Sequence, residues 1–302
     1  MTDRPSLRHG GGRVLLVALA IFLVGAILCA GCTGGTDDIT PTPADRLSGP
    51  LSITGSTTVF PVAQLTAEVF MTENPGADLQ ISAGGSSVGI QAVGEGTADI
   101  GMASRDLKVT EKESYPDLVK HAVALDGIVI IVNPANSVES LTIDEVRGIY
   151  NGTYPNWNRV GGPDLEIVVT GRDSASGTRE FFHEAVMQKE DFVETQLEKN
   201  SNGAVKQAVA QTPGAIGYVG VGYIDASVKA LPIDTGTGPV APTLQNIEDG
   251  TYPLARELLM FTRGEPTGLA AAYLSFIASP EGQQIIRDAG FVPLGGNQTA
   301  TT

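Results

Sequence analysis

Across residues 51–289 the chain alternates short apolar runs with stretches whose apolar residues recur at helical spacing. That alternation confines it to an α/β fold, expected here with mostly parallel sheets. Strand-like runs fall at residues 51–54, 79–81, 98–102, 128–132, 166–170, 216–221 and 258–261. The firmest is 128–132, where Ile128, Val129, Ile130, Ile131 and Val132 are all β-branched. Helical stretches follow at 59–73, after Ser87 through Ile90 and Val93, at 178–187, at 267–278 and at 280–289, with Gly290 as a C-cap. The second half repeats this plan without repeating the sequence. Two α/β lobes with a cleft between them are therefore expected, the first from residues 51–130 and 255–302, the second from 131–254.

Ahead of this region lies an address. Arg4, Arg8 and Arg13 precede an apolar run from Val14 to Ala30 that ends in Gly31-Cys32. A basic start, an apolar middle and small residues before a cut site describe a secretory signal peptide over residues 1–32. Ala30-Gly31-Cys32 resembles the lipobox of exported lipoproteins, with Cys29 where that motif usually has Leu and Cys32 as the lipidated residue. An uncleaved single-pass anchor is the other reading, at the short limit for a span. Either way the remainder is tethered outside the membrane. Residues 33–50 are rich in Thr, Gly, Asp and Pro and read as a flexible tether.

The chain carries 34 acidic and 19 basic residues, a net charge of −15. Such a surface repels phosphate backbones and argues against a nucleic-acid partner. Both cysteines lie in the address segment, which excludes a zinc ribbon or disulfide scaffold beyond it. His121 and His183 have no partners at metal spacing, and no metal or other cofactor is expected.

Three strand-to-helix loops share one composition: Gly55-Ser56-Thr57-Thr58, Gly84-Gly85-Ser86-Ser87 and Ser174-Ala175-Ser176-Gly177-Thr178. Each joins glycine, for close backbone approach, to hydroxyls at a helix N-terminus, where free N–H groups favour an anion. Ser and Thr are also ordinary N-caps, so one such loop says little. Three in one chain, with Arg172 four residues before Ser176, point to an oxyanion. Arg172 is the cation of choice, against surface pairing with Asp173 or Glu180. Arg105 is a second candidate, or a lobe-stabilising salt bridge. Asp126 sits at the mouth of a buried strand and must be paired, protonated or functional. It either pairs with Arg105, caps a turn, or accepts a hydrogen bond from a protonated oxyanion. Trp157, in a Pro/Asn turn, reads as packing.

These segments resemble the short PstS-type phosphate-binding proteins, the substrate-binding lipoproteins of phosphate ABC transporters. The likeness is carried by Gly55 to Pro61, Gly85-Ser86-Ser87-Val88-Gly89, Asp99 to Arg105, Ala124-Leu125-Asp126-Gly127, Ile149-Tyr150-Asn151-Gly152 through Trp157, and Arg172 through Thr178. It runs in order from about Leu51 to Leu294. The resemblance implies a type II periplasmic-binding-protein fold with the ligand in the interlobe cleft. By motif position, Ser56, Thr57, Thr58, Ser86 and Ser87 would bind phosphate from one lobe, and Arg172, Ser176, Gly177 and Thr178 from the other. Longer relatives carry the proton-accepting Asp where this chain has Arg105, so the resemblance moves that role to Asp126. It also implies a monomer that works with ABC permease subunits, tethered by a lipid to the outer face of the cell membrane.

A binding protein for sulfate, molybdate or tungstate is the nearest rival reading, and a phosphate sensor feeding no permease is a regulatory version of the same fold. A lipid-anchored phosphatase would need an activated nucleophile or a metal, and Ser176 lacks a Gly-x-Ser-x-Gly elbow. The acidic surface does not oppose anion capture strongly. A charge about 20 Å away contributes only a few hundredths of a kcal/mol after screening. One charge-assisted hydrogen bond is worth about 1.5–3 kcal/mol.

Overall fold

The computed structural model describes residues 47–295, so the address segment, Cys32 and most of the tether lie outside the described residues. Among the described residues, no helix is long and apolar enough to cross a membrane.

The chain opens with β1 (Gly49–Gly55), α1 (Phe60–Glu73), β2 (Ala77–Ala83), α2 (Ser86–Gly94), β3 (Ile100–Ala103) and α3 (Val109–Ser114). The long β4 (Leu118–Val132) then leads to β5 (Leu141–Thr142), α4 (Ile143–Tyr150), β6 (Val168–Arg172) and α5 (Gly177–Ala185). Next come β7 (Leu197–Lys199), α6 (Asn202–Gln211), β8 (Ala215–Gly220), β9 (Lys229–Leu231), β10 (Ile233–Asp234), β11 (Pro239–Val240) and α7 (Leu244–Glu248). The chain closes with β12 (Ala255–Arg263), α8 (Gly268–Ala278) and α9 (Pro280–Asp288).

One large sheet runs β2-β1-β3-β12-β4-β8-β6-β7, with β9 paired to β4, and a small sheet joins β11, β10 and β5. Parallel pairing holds on the two flanks, β2-β1-β3 and β8-β6-β7. It fails in the middle, where β12 and β8 both run antiparallel to β4. The mixed sheet follows from β4, which is 15 residues long rather than the five of the sequence reading. Its first part pairs β12 as far as Gly127, and its last five residues pair β8. β4 thus changes partner between Gly127 and Ile128. All five β-branched residues after that point are fully buried, as expected for strand covered on both faces.

Helices are set by local signals. Thr142 and Glu145 form a reciprocal capping box at the start of α4. Ser201 caps α6, and Ser279 followed by Pro280 starts α9. Trp157 is fully buried with its Nε1 donating to Gly214 O at 3.0 Å, a packing role as expected.

Candidate functional site

The three Gly/Ser/Thr loops leave the carboxyl ends of β1, β2 and β6, and they converge beside the point where β4 changes partner. Ligands of open α/β sheets bind at such a switch.

Gly55 makes the first loop possible. Its φ of +135° suits glycine, and a Cβ there would run into Met102 O. Ser56 Oγ accepts from Thr58 N at 3.1 Å, which folds the loop onto the start of α1. In the second loop, Ser86 Oγ accepts from Ser104 N at 3.1 Å. In the third, Ser176 caps α5 by accepting from Arg179 N at 3.2 Å. A Cβ on Gly177 would collide with Ser86 Oγ, so only glycine allows the second and third loops to touch. Ser87 N donates to Ala175 O at 3.2 Å, tying the same two loops through the backbone.

Hydroxyls meet across the cleft. Thr58 Oγ1 and Thr178 Oγ1 lie 3.0 Å apart. Asn202 Nδ2 donates to Thr57 Oγ1 at 3.1 Å and to Thr58 Oγ1 at 3.0 Å, while Asn202 Oδ1 accepts from Gly220 N. Ser56, Thr57, Thr58, Ser86, Ser176 and Thr178 are all buried.

Arg172, the last residue of β6, is buried too, with 1% of its surface exposed. Its Nε donates to Lys199 O at 3.1 Å and its Nη2 to Asn200 O at 3.2 Å. It forms no salt bridge among the described residues; Glu180 instead pairs with Lys108. Burial lowers the guanidinium below its ordinary value, yet an arginine remains charged at neutral pH.

Arg105 is turned to a different task. It binds Glu111 bidentately, both N···O distances 2.7 Å, and reaches the loops only through Ser87 Oγ, at 3.1 Å. Its charge is already matched by Glu111. The Glu111 carboxyl is pushed up by burial, but hydrogen bonds from Arg105 and Lys108 N more than offset that and hold it below its usual range.

Asp126 is fully buried, and its ion pair is with Arg256 rather than Arg105. Oδ2 accepts from Arg256 Nε at 3.0 Å and Nη2 at 2.8 Å, and Oδ1 accepts from Val221 N at 2.9 Å. Burial pushes the carboxyl above the usual carboxylate range, against the pull of Arg256.

Sequence reasoning missed Arg256 and Asn202. Arg256 lies two residues before the apolar run 258–261 and beside Glu257, where it reads as a solvated strand end. Its signal is the antiparallel register of β12 on β4, which sets Arg256 opposite Asp126. Asn202 begins α6 and carried no motif. Among the described residues, no group of His, Cys, Asp and Glu is disposed to hold a metal.

The chain matches a family model described as a PBP superfamily domain over residues 40–281. It is 37% identical over 287 residues to the phosphate-binding protein PstS of Bacillus subtilis, covering 93% of each chain. It is 32% identical over 304 residues to the PstS of Pseudomonas aeruginosa PAO1, covering 92% of this chain and 94% of that one. Among solved structures it resembles a Clostridium perfringens substrate-binding protein with bound phosphate, with a TM-score of 0.77 and 36% identity, covering 82% of this chain and 100% of the other. An ABC-type phosphate transport receptor from Vibrio cholerae gives a TM-score of 0.68 at 32% identity, covering 81% and 100%. The sheet with its shared central strand, the converging hydroxyl loops and these likenesses together establish that the chain belongs to the PstS-type phosphate-binding proteins of the PBP superfamily.

Proposed function

We propose that this protein captures inorganic phosphate outside the cytoplasm and hands it to an ABC-type importer. The observation that carries the reading is Arg172, a buried guanidinium with no salt bridge among the described residues, at the end of the strand that runs into the third hydroxyl loop and α5. A buried cation of this kind is stabilised by an anion, and a tetrahedral oxyanion can draw on many donors at once.

In this reading Arg172 supplies the countercharge. Ser56, Thr57 and Thr58 donate from the first loop, Ser86 and Ser87 from the second, and Ser176, Gly177 and Thr178 from the third. Arg105 serves indirectly, by orienting Ser87. Asp126 accepts the proton that phosphate keeps near neutral pH and sulfate lacks. The protein acts as a binding component rather than as an enzyme, and as a monomer. Cys32 would carry the lipid that holds it at the outer face of the cell membrane beside its permease subunits.

Calorimetry of the exported domain against phosphate, sulfate and molybdate tests this. Saturable heat with phosphate and little with the other two is expected. Heat with molybdate and a flat phosphate titration would make it a binding protein for another oxyanion.

A further inference from the structure

Arg256 makes four side-chain hydrogen bonds in the cleft, and the assignments above give it no part in binding. Besides its two bonds to Asp126, Nη1 donates to Ser104 O and Nη2 to Thr178 Oγ1, each at 3.0 Å. Four of about five guanidinium donors are therefore spent on protein. The partners lie on β4, just after β3 and on α5, so one buried group braces three elements around the loops.

Counting acceptors shows what this leaves. A carboxylate offers about four lone-pair positions. Arg256 fills two on Asp126 Oδ2, and Val221 N takes one on Oδ1. The remaining position on Oδ1 faces only the weaker approach of the Gly127 N–H, and an O–H of the ligand can compete for it. Thr178 Oγ1 must accept from Arg256, and Thr58 Oγ1 must accept from Asn202, because both partners can only donate there. The contact between the two threonines then uses one hydroxyl proton and leaves the other for a ligand.

We infer that Arg256 is a specificity-determining positioning residue: it keeps Asp126 in its anionic, acceptor form, so that the site excludes oxyanions carrying no proton. The inference rests on the phosphate reading of the site. Without Arg256, only the backbone N–H groups of Val221 and Gly127 oppose burial, and the balance moves toward the neutral acid. A neutral acid carries an O–H donor, which suits sulfate as well as phosphate.

Sulfate reads this cleanly, since it has no proton to lose between about pH 5.5 and 8.5. The charged or titratable groups facing Asp126 are Arg256 on β12, Tyr223 after β8 and Tyr252 before β12. Burial pushes the Tyr223 hydroxyl up to about 12 and that of Tyr252 well above its ordinary value. All keep one charge state across that range, so a pH dependence of sulfate affinity reports Asp126.

The exported domain, Arg256→Gln, Arg256→Lys and the double variant Asp126→Asn/Arg256→Gln are titrated with phosphate and sulfate from about pH 5.5 to 8.5, after thermal melts confirm folding. The parent should prefer phosphate throughout, and Arg256→Lys, which keeps the charge, should still exclude sulfate. Arg256→Gln should take up sulfate, with affinity rising by up to about tenfold per pH unit lowered while Asp126 titrates. The double variant, whose neutral pair is a tolerable replacement for a buried ion pair, should bind both anions without that pH dependence. If Arg256→Gln excludes sulfate like the parent at every pH, the inference is overturned. If that variant does not fold, the double variant decides, and its retaining the parent's exclusion overturns the inference equally. A parent that binds no phosphate instead removes the phosphate reading itself.

Discussion

Of the three buried arginines beside the loops, Arg256 and Arg172 differ most in their counterion. Arg256 in the β12–β4 ladder lies against a carboxylate, whereas Arg172 at the end of β6 lies against two backbone carbonyls. Both have lost their water. A buried charge pair is satisfied within the protein and can serve to position its neighbours. A buried charge whose hydrogen bonds go only to carbonyls, with Asp173 acting on it from outside salt-bridge distance, is incompletely compensated, and an arriving anion supplies the rest. The same residue type thus does two jobs a strand or two apart, and burial does not separate them. The counterion does. Arg105, matched by Glu111, falls on Arg256's side of the division although its sequence context resembles a ligand-binding position more closely.

The most severe way to break this comparison is to unmatch Arg256. Asp126→Asn removes its counterion, so the cleft holds two uncompensated guanidinium groups. The amide can donate to either anion, and the repulsion of bare sulfate oxygens is gone. Sites built around one hydrogen bond reject partners lacking it by about 10⁴–10⁵, and most of that discrimination should vanish. The unliganded variant should also melt lower, since removing one partner of a buried pair costs about 3–5 kcal/mol. Competition binding at neutral pH and low salt checks the first expectation. A variant that still excludes sulfate like the parent would place the selectivity elsewhere, with Asp106 the next carboxylate to test.

Removing the unmatched arginine attacks the other side. Arg172→Ala should weaken phosphate binding by about 2–5 kcal/mol, as for truncating one partner of a desolvated charge contact. Because Arg172 forms no salt bridge among the described residues, the unliganded variant should fold and keep most of its stability. Calorimetry and thermal melts report both. A loss of affinity under tenfold would mean that its carbonyl partners satisfy it and that the contrast with Arg256 is false.

A third expectation concerns the parent alone. If the anion is the missing counterion, phosphate should stabilise the folded chain by about 2.7 kcal/mol at a concentration of 100 Kd, raising the melting temperature as concentration increases. Sulfate at equal concentration should not. Equal shifts with both anions would point to general screening of the protein's charge.

Much of this was legible in the sequence, and the limits are physical. The three loops could be found because backbone approach demands glycine and helix starts demand hydroxyls, both local requirements that leave local patterns. Arg172 and Asp126 stood out because charge at the edge of an apolar run needs an explanation. Arg256 did not, because its burial arises from a pairing 130 residues away along the chain. Its neighbour Glu257 faces the surface and pairs with Lys120, so the local pattern is that of an exposed strand end. The antiparallel centre was hidden for a related reason. Residues 118–127 mix Lys120, His121 and Asp126 with small apolar residues, and only the β-branched tail of β4 announces itself. Asn202 was invisible because an Asn at a helix start is common, and its two threonine partners come from the first loop.

The smallest expected effect sharpens the ordering by adding a matched but exposed pair. Lys108 Nζ lies 2.8 Å from Glu180 Oε2, joining the segment before α3 to α5 across the cleft, with side chains 39% and 31% exposed. Water screens both charges, and such pairs contribute about 0.2–1 kcal/mol. Lys108→Ala should therefore speed phosphate release by less than about sixfold, if the pair forms only when the cleft is closed, and leave the association rate nearly unchanged. Salt screens exposed charges more than buried ones, so the difference from the parent should shrink further at high ionic strength. Stopped-flow release measured at low and high salt tests both statements. The buried contacts of Arg172 should show no comparable salt sensitivity once the surface contribution is subtracted. If Lys108→Ala instead costs a hundredfold in affinity, an exposed matched pair would rank with the buried unmatched arginine, and counterion state would no longer order the arginines and lysines of this cleft.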